Sequence, residues 1–332
     1  SVANMLHGFA RTASQLAFFR FLLGAAEPAN FPGGVKAVSE WFPMRERALA
    51  VGIFNAGTAL GGALAVPLVS FIALQWGWRF AFVVTGSLGF LWVAMWAAFY
   101  RLPQDHPRIS AEERELILSD SRAEPPPTAV PVRRLLGMRE AWGCILARVL
   151  TDPVSYFLNF WIPKYLQTER GFSLADIGRY GWIPFAALTA GNLFSGGMPR
   201  WLVSRGWTLN RARKTTMLAV SLAMPLLCFL VTRVEGAGLA LGVMSALFFG
   251  HAAWGNIILP AEVFPKHVVG TVSGLGGALG GVTGIVTQLA IGWVVQNLSF
   301  APLFAAMSMT YLLAFAAVHF LIGELGRVRD VR

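Results

Sequence analysis

Two ionisable residues lie within an apolar stretch near the beginning of the sequence. Arg20 and Glu27 are seven residues apart, so on a helix they share one face, about 10 Å apart along the axis. A charge inside a bilayer costs at least about 2.5 kcal/mol unless it faces a cavity or a partner. In one interpretation Arg20 binds an anion or modulates its neighbour Glu27. Glu27 is then a carboxylate that takes up a proton when its surroundings become desolvated. The alternative is a structural ion pair; Pro28, which breaks the helix locally, favours the first interpretation.

A second apolar stretch carries a polar stripe. Arg148, Asp152, Tyr156 and Asn159 recur at spacings of three and four residues, which places them on one side of a helix. One interpretation is a hydrogen-bond network inside a helix bundle. The other is a wall of a substrate cavity, with Tyr156 and Asn159 as binding residues and the ionisable pair as further cavity residues.

Hydrogen-bonding side chains also interrupt two glycine-rich stretches. Asn55 and Thr58 lie about one helical turn apart and are expected to offer hydrogen bonds to a ligand at mid-membrane. Ser273 precedes a glycine ridge at four-residue spacing, which lets two helices approach closely. Ser273 is either a packing residue or a cavity residue, and the ridge is a packing or sliding surface made of Gly276, Gly280 and Gly284.

An aromatic residue and an amide occur together in the segment HAAWGN, residues 251 to 256. Trp254 beside Asn256 suits a polyhydroxylated ligand, so both are predicted to bind substrate. His251 alone is more typical of a hydrogen-bonded core histidine than of a proton carrier, because no neighbouring residue in the sequence activates it.

Motifs of known enzyme chemistry do not occur in the sequence. It contains no zinc-protease HExxH, no GxSxG nucleophile motif, no phosphate-binding loop and no ligand cluster at metal spacing. Cys144 and Cys228 both lie in apolar stretches and are interpreted as small hydrophobic residues. We therefore expect no enzyme activity, no metal and no cofactor.

The elements that position these residues are expected to be membrane-spanning helices. Only 13% of residues are charged and 55% are apolar, whereas a soluble domain has about 25% charged residues. The apolar stretches are long enough to cross about 30 Å of hydrocarbon as helices. Nine spans are predicted, at 14–41, 48–73, 78–100, 141–166, 177–199, 214–232, 237–258, 267–295 and 300–323.

A long polar segment at 101–140 divides the chain into three predicted spans before it and six after it. Within this segment a short helix is predicted near 110–120, capped by Ser110 with Glu113 three residues later. Alternate loops on the side of this segment hold nineteen Lys and Arg residues, and the opposite loops hold six. The positive-inside rule therefore places the segment and the C-terminus in the cytoplasm. The net charge of +10 then reflects topology and does not predict binding of nucleic acid.

The segments that carry these residues resemble the major facilitator superfamily, and more closely its anion:cation symporter branch. That branch includes bacterial hexuronate, galactonate and glucarate permeases, which are related to vesicular glutamate and sialic acid transporters. The similar segments are RFLLGAAEPANFPGGVKAVSEWFPMRERALAVGIFNAG, RVLTDPVSYFLNFWIPKYL, GWTLNRARK, HAAWGN and VVGTVSGLGGALGG.

The resemblance implies an all-α bundle of twelve transmembrane helices in two six-helix halves, with substrate bound between them and alternating access. Residues 1–100 would be the end of helix 3 and helices 4–6. Residues 101–140 would be the central cytoplasmic linker, and residues 141–332 would be helices 7–12 with a short tail. By this register the two first helices and most of the third are expected to precede Ser1, with a further substrate-binding arginine and a second titrating carboxylate.

The resemblance also assigns roles to residues. Arg20 and Glu27 match the arginine and glutamate of the fourth helix, where the glutamate is similar to a proton-coupling group. Asn55 or Thr58 falls where the fifth helix contacts the sugar acid, and Trp254 matches an aromatic residue beside the substrate. One departure is the segment SGGMPRWLVSRG, which has Pro199 and Arg200 where the family usually has an acidic gating residue.

Together these observations predict a monomeric secondary transporter in the bacterial inner membrane. Its partners would be a small organic anion, protons and the lipid bilayer, and the leading hypothesis is proton-coupled uptake of a hexuronate or hexonate. Another organic anion, such as tartrate, phthalate or a different carboxylate, is the alternative within the same mechanism. A non-transporting membrane protein or a membrane enzyme is the alternative from another class.

Overall fold

A computed structural model of the chain describes residues 1–27, 30–42, 44–119 and 130–326. The chain forms two compact units, unit 1 at Ser1–Pro126 and unit 2 at Pro127–Arg332. The division falls inside the polar segment that the sequence predicts between two groups of spans. All regular secondary structure in the described residues is helical.

The described part of unit 1 contains six α-helices and two short 3₁₀ turns. The helices are α1 Val2–Leu6, α2 Ala13–Ala26, α3 Asn30–Trp41, α4 Met44–Trp76, α5 Trp78–Phe99 and α6 Ala111–Ser119. Ser110 Oγ accepts a hydrogen bond from the Glu113 amide at 3.1 Å at the start of α6, which confirms the predicted cap.

Helix α2 is capped at its start by a side chain and ends just before Glu27. The Thr12 hydroxyl oxygen accepts a hydrogen bond from the Gln15 amide at 3.2 Å and so caps the first turn. The helix ends at Ala26, one residue before Glu27, whose amide still donates to the Leu23 carbonyl at 3.0 Å. The predicted span at 14–41 is therefore divided into α2 and α3.

Helix α1 and the turn after it pack on α5. The Asn4 amide group donates to the Phe82 carbonyl at 3.0 Å and to the Thr85 hydroxyl at 2.9 Å. His7 stacks on the Phe82 ring with centroids 4.9 Å apart. These contacts give unit 1 a packed interior between its first residues and α5.

Unit 2 contains nine α-helices in the part that is described. They are α7 Val132–Leu136, α8 Arg139–Arg170, α9 Leu174–Tyr180, α10 Trp182–Ser204, α11 Leu209–Arg233, α12 Ala237–Ala253, α13 Leu259–Val263, α14 Lys266–Asn297 and α15 Ala301–Ala317. A 3₁₀ turn at Asn256–Ile258 joins α12 to α13, and a π-helical segment at Val318–Ile322 extends α15. The most extensive packing in this unit joins α8 to α14 and α10 to α12.

Five helical segments of the described chain are long and apolar enough to cross a bilayer. They are Trp78–Phe99, Leu209–Arg233, Ala237–Val263, Val268–Asn297 and Ala301–Ile322, and each coincides with a predicted span. Large apolar side chains are exposed along them, including Leu289 at 74% and Phe320 at 75%. Such surfaces are compatible with lipid and not with water.

Candidate functional site

The polar stripe of α8 contains an ion pair. Arg148 Nη2 lies 2.8 Å from Asp152 Oδ2, and Arg148 Nε donates to the same oxygen at 3.0 Å. The two residues are four apart on one helix, the spacing at which opposite charges on a helix meet. The carboxylate therefore accepts two charge-assisted hydrogen bonds from a single guanidinium.

Two further residues extend the ion pair across unit 2. The Asn256 amide group donates to Asp152 Oδ1 at 3.2 Å and to the Thr151 hydroxyl at 2.8 Å. Arg148 Nη1 donates to the backbone carbonyl of Ser273 on α14 at 3.2 Å. The structure thus brings together four residues that the sequence predicted in three separate segments, although Ser273 contributes its carbonyl to this bond and not its hydroxyl.

The glycine ridge of α14 lies against the polar stripe of α8. A Cβ added at Gly276 would lie 3.1 Å from Arg148 Cδ, and one added at Gly280 would lie 2.5 Å from Asp152 Oδ2. Gly284 makes the equivalent contact with the Tyr156 ring. The ridge is therefore a packing surface, and its partner is a charged and aromatic stripe.

Tyr156 and Asn159 continue the stripe without joining the ion-pair network. The Tyr156 ring stacks on Phe160 with centroids 6.2 Å apart, and the Asn159 amide donates to the Ser155 carbonyl at 2.8 Å. Both side chains are half-buried. Asn159 therefore satisfies one amide donor within its own helix and keeps its carbonyl oxygen for other partners.

Trp254 lies in the interior of unit 2, where it is 1% exposed. Its indole nitrogen donates to the Ser221 hydroxyl at 2.9 Å, and its ring meets Tyr311 edge-on with centroids 6.0 Å apart. His251 Nδ1 lies 2.6 Å from the Tyr311 hydroxyl. These contacts place both Trp254 and His251 in a hydrogen-bonded core, which for His251 is the interpretation that the sequence favoured.

Four site residues were predicted in unit 1, and the structure describes the side chains of two of them. Arg20 on α2 and Glu27 at its end are exposed, and among the described residues neither forms an ion pair with the other or with a third residue. Asn55 and Thr58 lie on α4, but their side chains are outside the part that the structure describes.

A second buried ion pair was not predicted. Arg213 Nη2 lies 2.5 Å from Glu262 Oε1, with side chains only 6% and 11% exposed, and Arg213 Nη1 donates to the Ser195 carbonyl. The pair joins α10, α11 and α13. Neither residue was singled out from the sequence, because Arg213 immediately precedes the predicted span at 214–232, beside the basic residues Arg211 and Lys214.

The last described residues are bound at the same end of unit 2. The Gly326 amide donates to the Glu262 carbonyl at 3.1 Å, and the Leu325 amide donates to Asn210 Oδ1 at 3.1 Å. The Lys214 ammonium donates to the Gly323 carbonyl. This end of the unit is therefore held by both side-chain and backbone contacts.

The described residues contain no group of three or more His, Cys, Asp or Glu side chains that could hold a metal ion. The two ion-pair networks of unit 2 consist instead of guanidinium groups, carboxylates, an amide, a hydroxyl and backbone carbonyls. Of these groups, guanidinium, amide N–H and hydroxyl groups can donate hydrogen bonds to an oxygen-rich anion, whereas the carboxylates repel it.

Residues 1–286 match the family model of the Major Facilitator Superfamily. The chain belongs to this superfamily. Its all-helical fold and its membership together make it a multi-pass membrane transporter and not an enzyme, as the sequence predicted.

Relatives in the Major Facilitator Superfamily share a substantial part of the sequence. The chain is 34% identical over 309 residues to the hexuronate transporter of Escherichia coli strain K12, covering 90% of this chain and 70% of that relative. It is 40% identical over 187 residues to the galacturonate transporter of Dickeya chrysanthemi, covering 55% of this chain and 54% of the relative. It is 30% identical over 351 residues to the D-galactonate transporter of Escherichia coli O6:H1, covering 99% of this chain and 79% of the relative.

A solved transporter structure supports the fold independently of sequence. A bacterial homolog of the human lysosomal transporter Spinster, in an inward-facing and unoccupied conformation, matches with a TM-score of 0.63. The match covers 97% of this chain and 78% of that structure at 14% identity. At this identity the likeness concerns the fold alone.

Proposed function

We propose that this protein couples the inward movement of protons to the uptake of a sugar acid, a hexuronate or a hexonate, across the bacterial inner membrane. Residues 1–100 and 141–332 form its two membrane halves in this proposal, and residues 101–140 form the linker between them. The linker and the C-terminus lie in the cytoplasm, because the loops on their side carry nineteen of the 27 Lys and Arg residues.

The substrate class is supported by the names of the relatives. Relatives named for transport of hexuronate, galacturonate and D-galactonate each share at least 30% identity with this chain. Each of these ligands carries one carboxylate and several hydroxyl groups, whereas a relative that is 32% identical over 327 residues is named as a probable galactarate/D-glucarate transporter, whose ligands carry two carboxylates. Arg148, Asn256 and Asn159 supply the guanidinium and amides that such a ligand needs.

The observation that carries the coupling proposal is the state of Arg20 and Glu27 in unit 1. They lie in and at the end of an apolar helix, are exposed, and form no ion pair with a described residue. In the proposed topology this stretch lies within the bilayer, where a charge is favourable only when it faces water or a ligand. The pair therefore fits a binding and protonation role better than a structural one.

In the proposed cycle Glu27 takes up a proton from the outer side as the sugar acid binds, and both are released inside. Binding and protonation must bias the same conformational equilibrium, because a ligand shifts that equilibrium only by its difference in affinity for the two states.

The experiment is proton movement in proteoliposomes that contain the complete gene product. Glucuronate, galacturonate, galactonate and tartrate are added in turn, and the external pH is recorded for wild type and for Glu27→Gln. A sugar acid should make the external medium more alkaline, and Glu27→Gln should abolish this while substrate exchange continues. Glu112→Gln, an exposed acidic position on α6, is the matched control and should couple normally.

Two outcomes would contradict the proposal. If no sugar acid moves protons in the wild type, the substrate class or the coupling ion is wrong. If Glu27→Gln couples as the control does, Glu27 has no part in proton transfer.

A further inference from the structure

The Arg148–Asp152 pair leaves part of the guanidinium available. A guanidinium has five N–H donors. The hydrogen bonds of Arg148 to described residues use Nε and one N–H on each terminal nitrogen. Each terminal nitrogen therefore keeps one N–H for another acceptor.

The pair is open on one side and closed on the other. Backbone of α14 closes one side, since Gly276 and Gly280 contact Arg148 and Asp152 directly. The Arg148 side chain nevertheless remains 24% exposed, against 11% for Asp152. In the proposed fold α8 lies within the membrane, where a guanidinium exposed to lipid is costly, so we infer that the open side of Arg148 faces water.

Asp152 balances the positive charge of Arg148. Within the described part of unit 2, Asp152 is the carboxylate that pairs with Arg148, and its other bonded neighbours, Asn256 and Ser273, are uncharged. The pair is therefore close to neutral overall. A ligand with one carboxylate meets two free N–H groups, whereas a second ligand carboxylate nearby meets the negative charge of Asp152 without a compensating cation.

We propose that Arg148 binds the carboxylate of the transported sugar acid and that Asp152 restricts the site to ligands with a single carboxylate. The inference rests on the proposed function and specifies its substrate class: uronates and aldonates are accepted, and the dicarboxylic aldarates are disfavoured. Asp152 also positions the guanidinium, because its two bonds to Oδ2 hold the plane of Arg148.

The test is competition against uptake of radiolabelled glucuronate in proteoliposomes at pH 7, with glucuronate and glucarate as competitors. Wild type should be inhibited at lower concentration by glucuronate. Asp152→Asn, which keeps the shape and removes the charge, should shift the ratio of the two inhibitory concentrations toward glucarate by about tenfold. Arg148→Lys keeps a charge without the planar fork and should weaken both competitors alike.

Glu235→Gln is the control for a general change in charge, because Glu235 is an exposed carboxylate between α11 and α12. It should leave the ratio unchanged. An unchanged ratio in an active Asp152→Asn transporter, or an equal shift in the control, would overturn the proposal. So would a wild type that prefers glucarate.

A second arm needs no variant and applies if Asp152→Asn does not fold. The monoamide of glucarate has the same carbon chain with one carboxylate, and wild type should bind it about tenfold more tightly than glucarate. Equal binding of the two would contradict the inference. Failure to take up any sugar acid would instead contradict the proposed function, so the two failures are distinguishable.

Discussion

Gly280 on α14 and Asp152 on α8 are in direct contact: a Cβ at position 280 would lie 2.5 Å from Asp152 Oδ2. The carboxylate cannot easily move away, since Arg148 and Asn256 both donate hydrogen bonds to it. Two helices 128 residues apart in sequence therefore meet at a charged group, and the absence of a side chain on one of them makes this approach possible.

Gly280→Ala should destabilise the protein by about 1–3 kcal/mol, because the new methyl group overpacks a carboxylate that is already held on two sides. Gly281→Ala is the matched control. Its Cβ would meet nothing within 4 Å, so alanine should be neutral or stabilising by up to about 1 kcal/mol through helix propensity. Thermal unfolding in detergent, followed by tryptophan fluorescence, checks both. Equal effects of the two substitutions would contradict the observed contact.

Arg213→Ala should destabilise the protein by about 3–5 kcal/mol, because it leaves the buried Glu262 carboxylate without its cation. Arg211→Ala is the control, since Arg211 is exposed and its guanidinium lies 4.2 Å from the centre of the Trp207 ring. That change should cost about 1 kcal/mol or less.

A double-mutant cycle with Glu262→Ala separates the ion pair from other effects of the substitutions. The double variant should be less destabilised than the sum of the two single variants, because each residue depends on the other. Additive unfolding free energies would show that the pair contributes nothing as a pair.

The helices and the polar stripe were predictable because both are local patterns. Long apolar stretches predict the spans, and the four-residue spacing of Arg148 and Asp152 on one helix predicts that their side chains meet. The sequence did not show which helix packs against the polar stripe of α8. The glycine ridge was recognised as a packing surface, but which helix fills it depends on tertiary packing between residues more than 120 positions apart.

Two other features show why the rest of the site could not be predicted. Helix α12 is apolar along most of its length, so its sequence does not indicate which face is buried. Trp254, the residue that follows α12, was predicted to bind substrate, and its side chain lies in the core. The Arg213–Glu262 pair joins residues 49 positions apart. Its arginine lies near the start of α11 among the basic residues Arg211 and Lys214, so the local pattern gives no reason to single it out.

Tyr311→Phe should destabilise the protein by about 1–3 kcal/mol, because it removes the hydroxyl partner of His251 Nδ1. The pH dependence of uptake should stay unchanged, since His251 is part of a packed core with Tyr311 and Trp254. Tyr180→Phe changes an exposed tyrosine and is the control for loss of a hydroxyl. A shift of the pH profile in Tyr311→Phe alone would give His251 a role in proton transfer.

Acid should loosen helix α9, which lies outside the five apolar spans. Asp176 Oδ2 accepts hydrogen bonds from the Ser173 hydroxyl at 2.6 Å and from the Ser173 amide at 2.9 Å, and these bonds lower the pKa of Asp176 below its ordinary value. A carboxyl whose pKa is lower in the folded state contributes stability above its unfolded pKa of about 3.9. That stability is lost as the pH falls through the folded pKa.

Amide hydrogen exchange of residues 174–180, corrected for intrinsic rates, should therefore show less protection at pH 3 than at pH 6. Asp176→Asn removes the titrating group, so protection should be lower at pH 6 and nearly independent of pH. Helix α6, whose cap is Ser110, serves as the internal control and should respond identically in wild type and variant. If wild-type α9 keeps full protection at pH 3, the Ser173–Asp176 bonds do not depend on the ionised carboxylate, and the cap stabilises α9 through the Ser173 hydroxyl that accepts from the Asp176 amide at 3.1 Å.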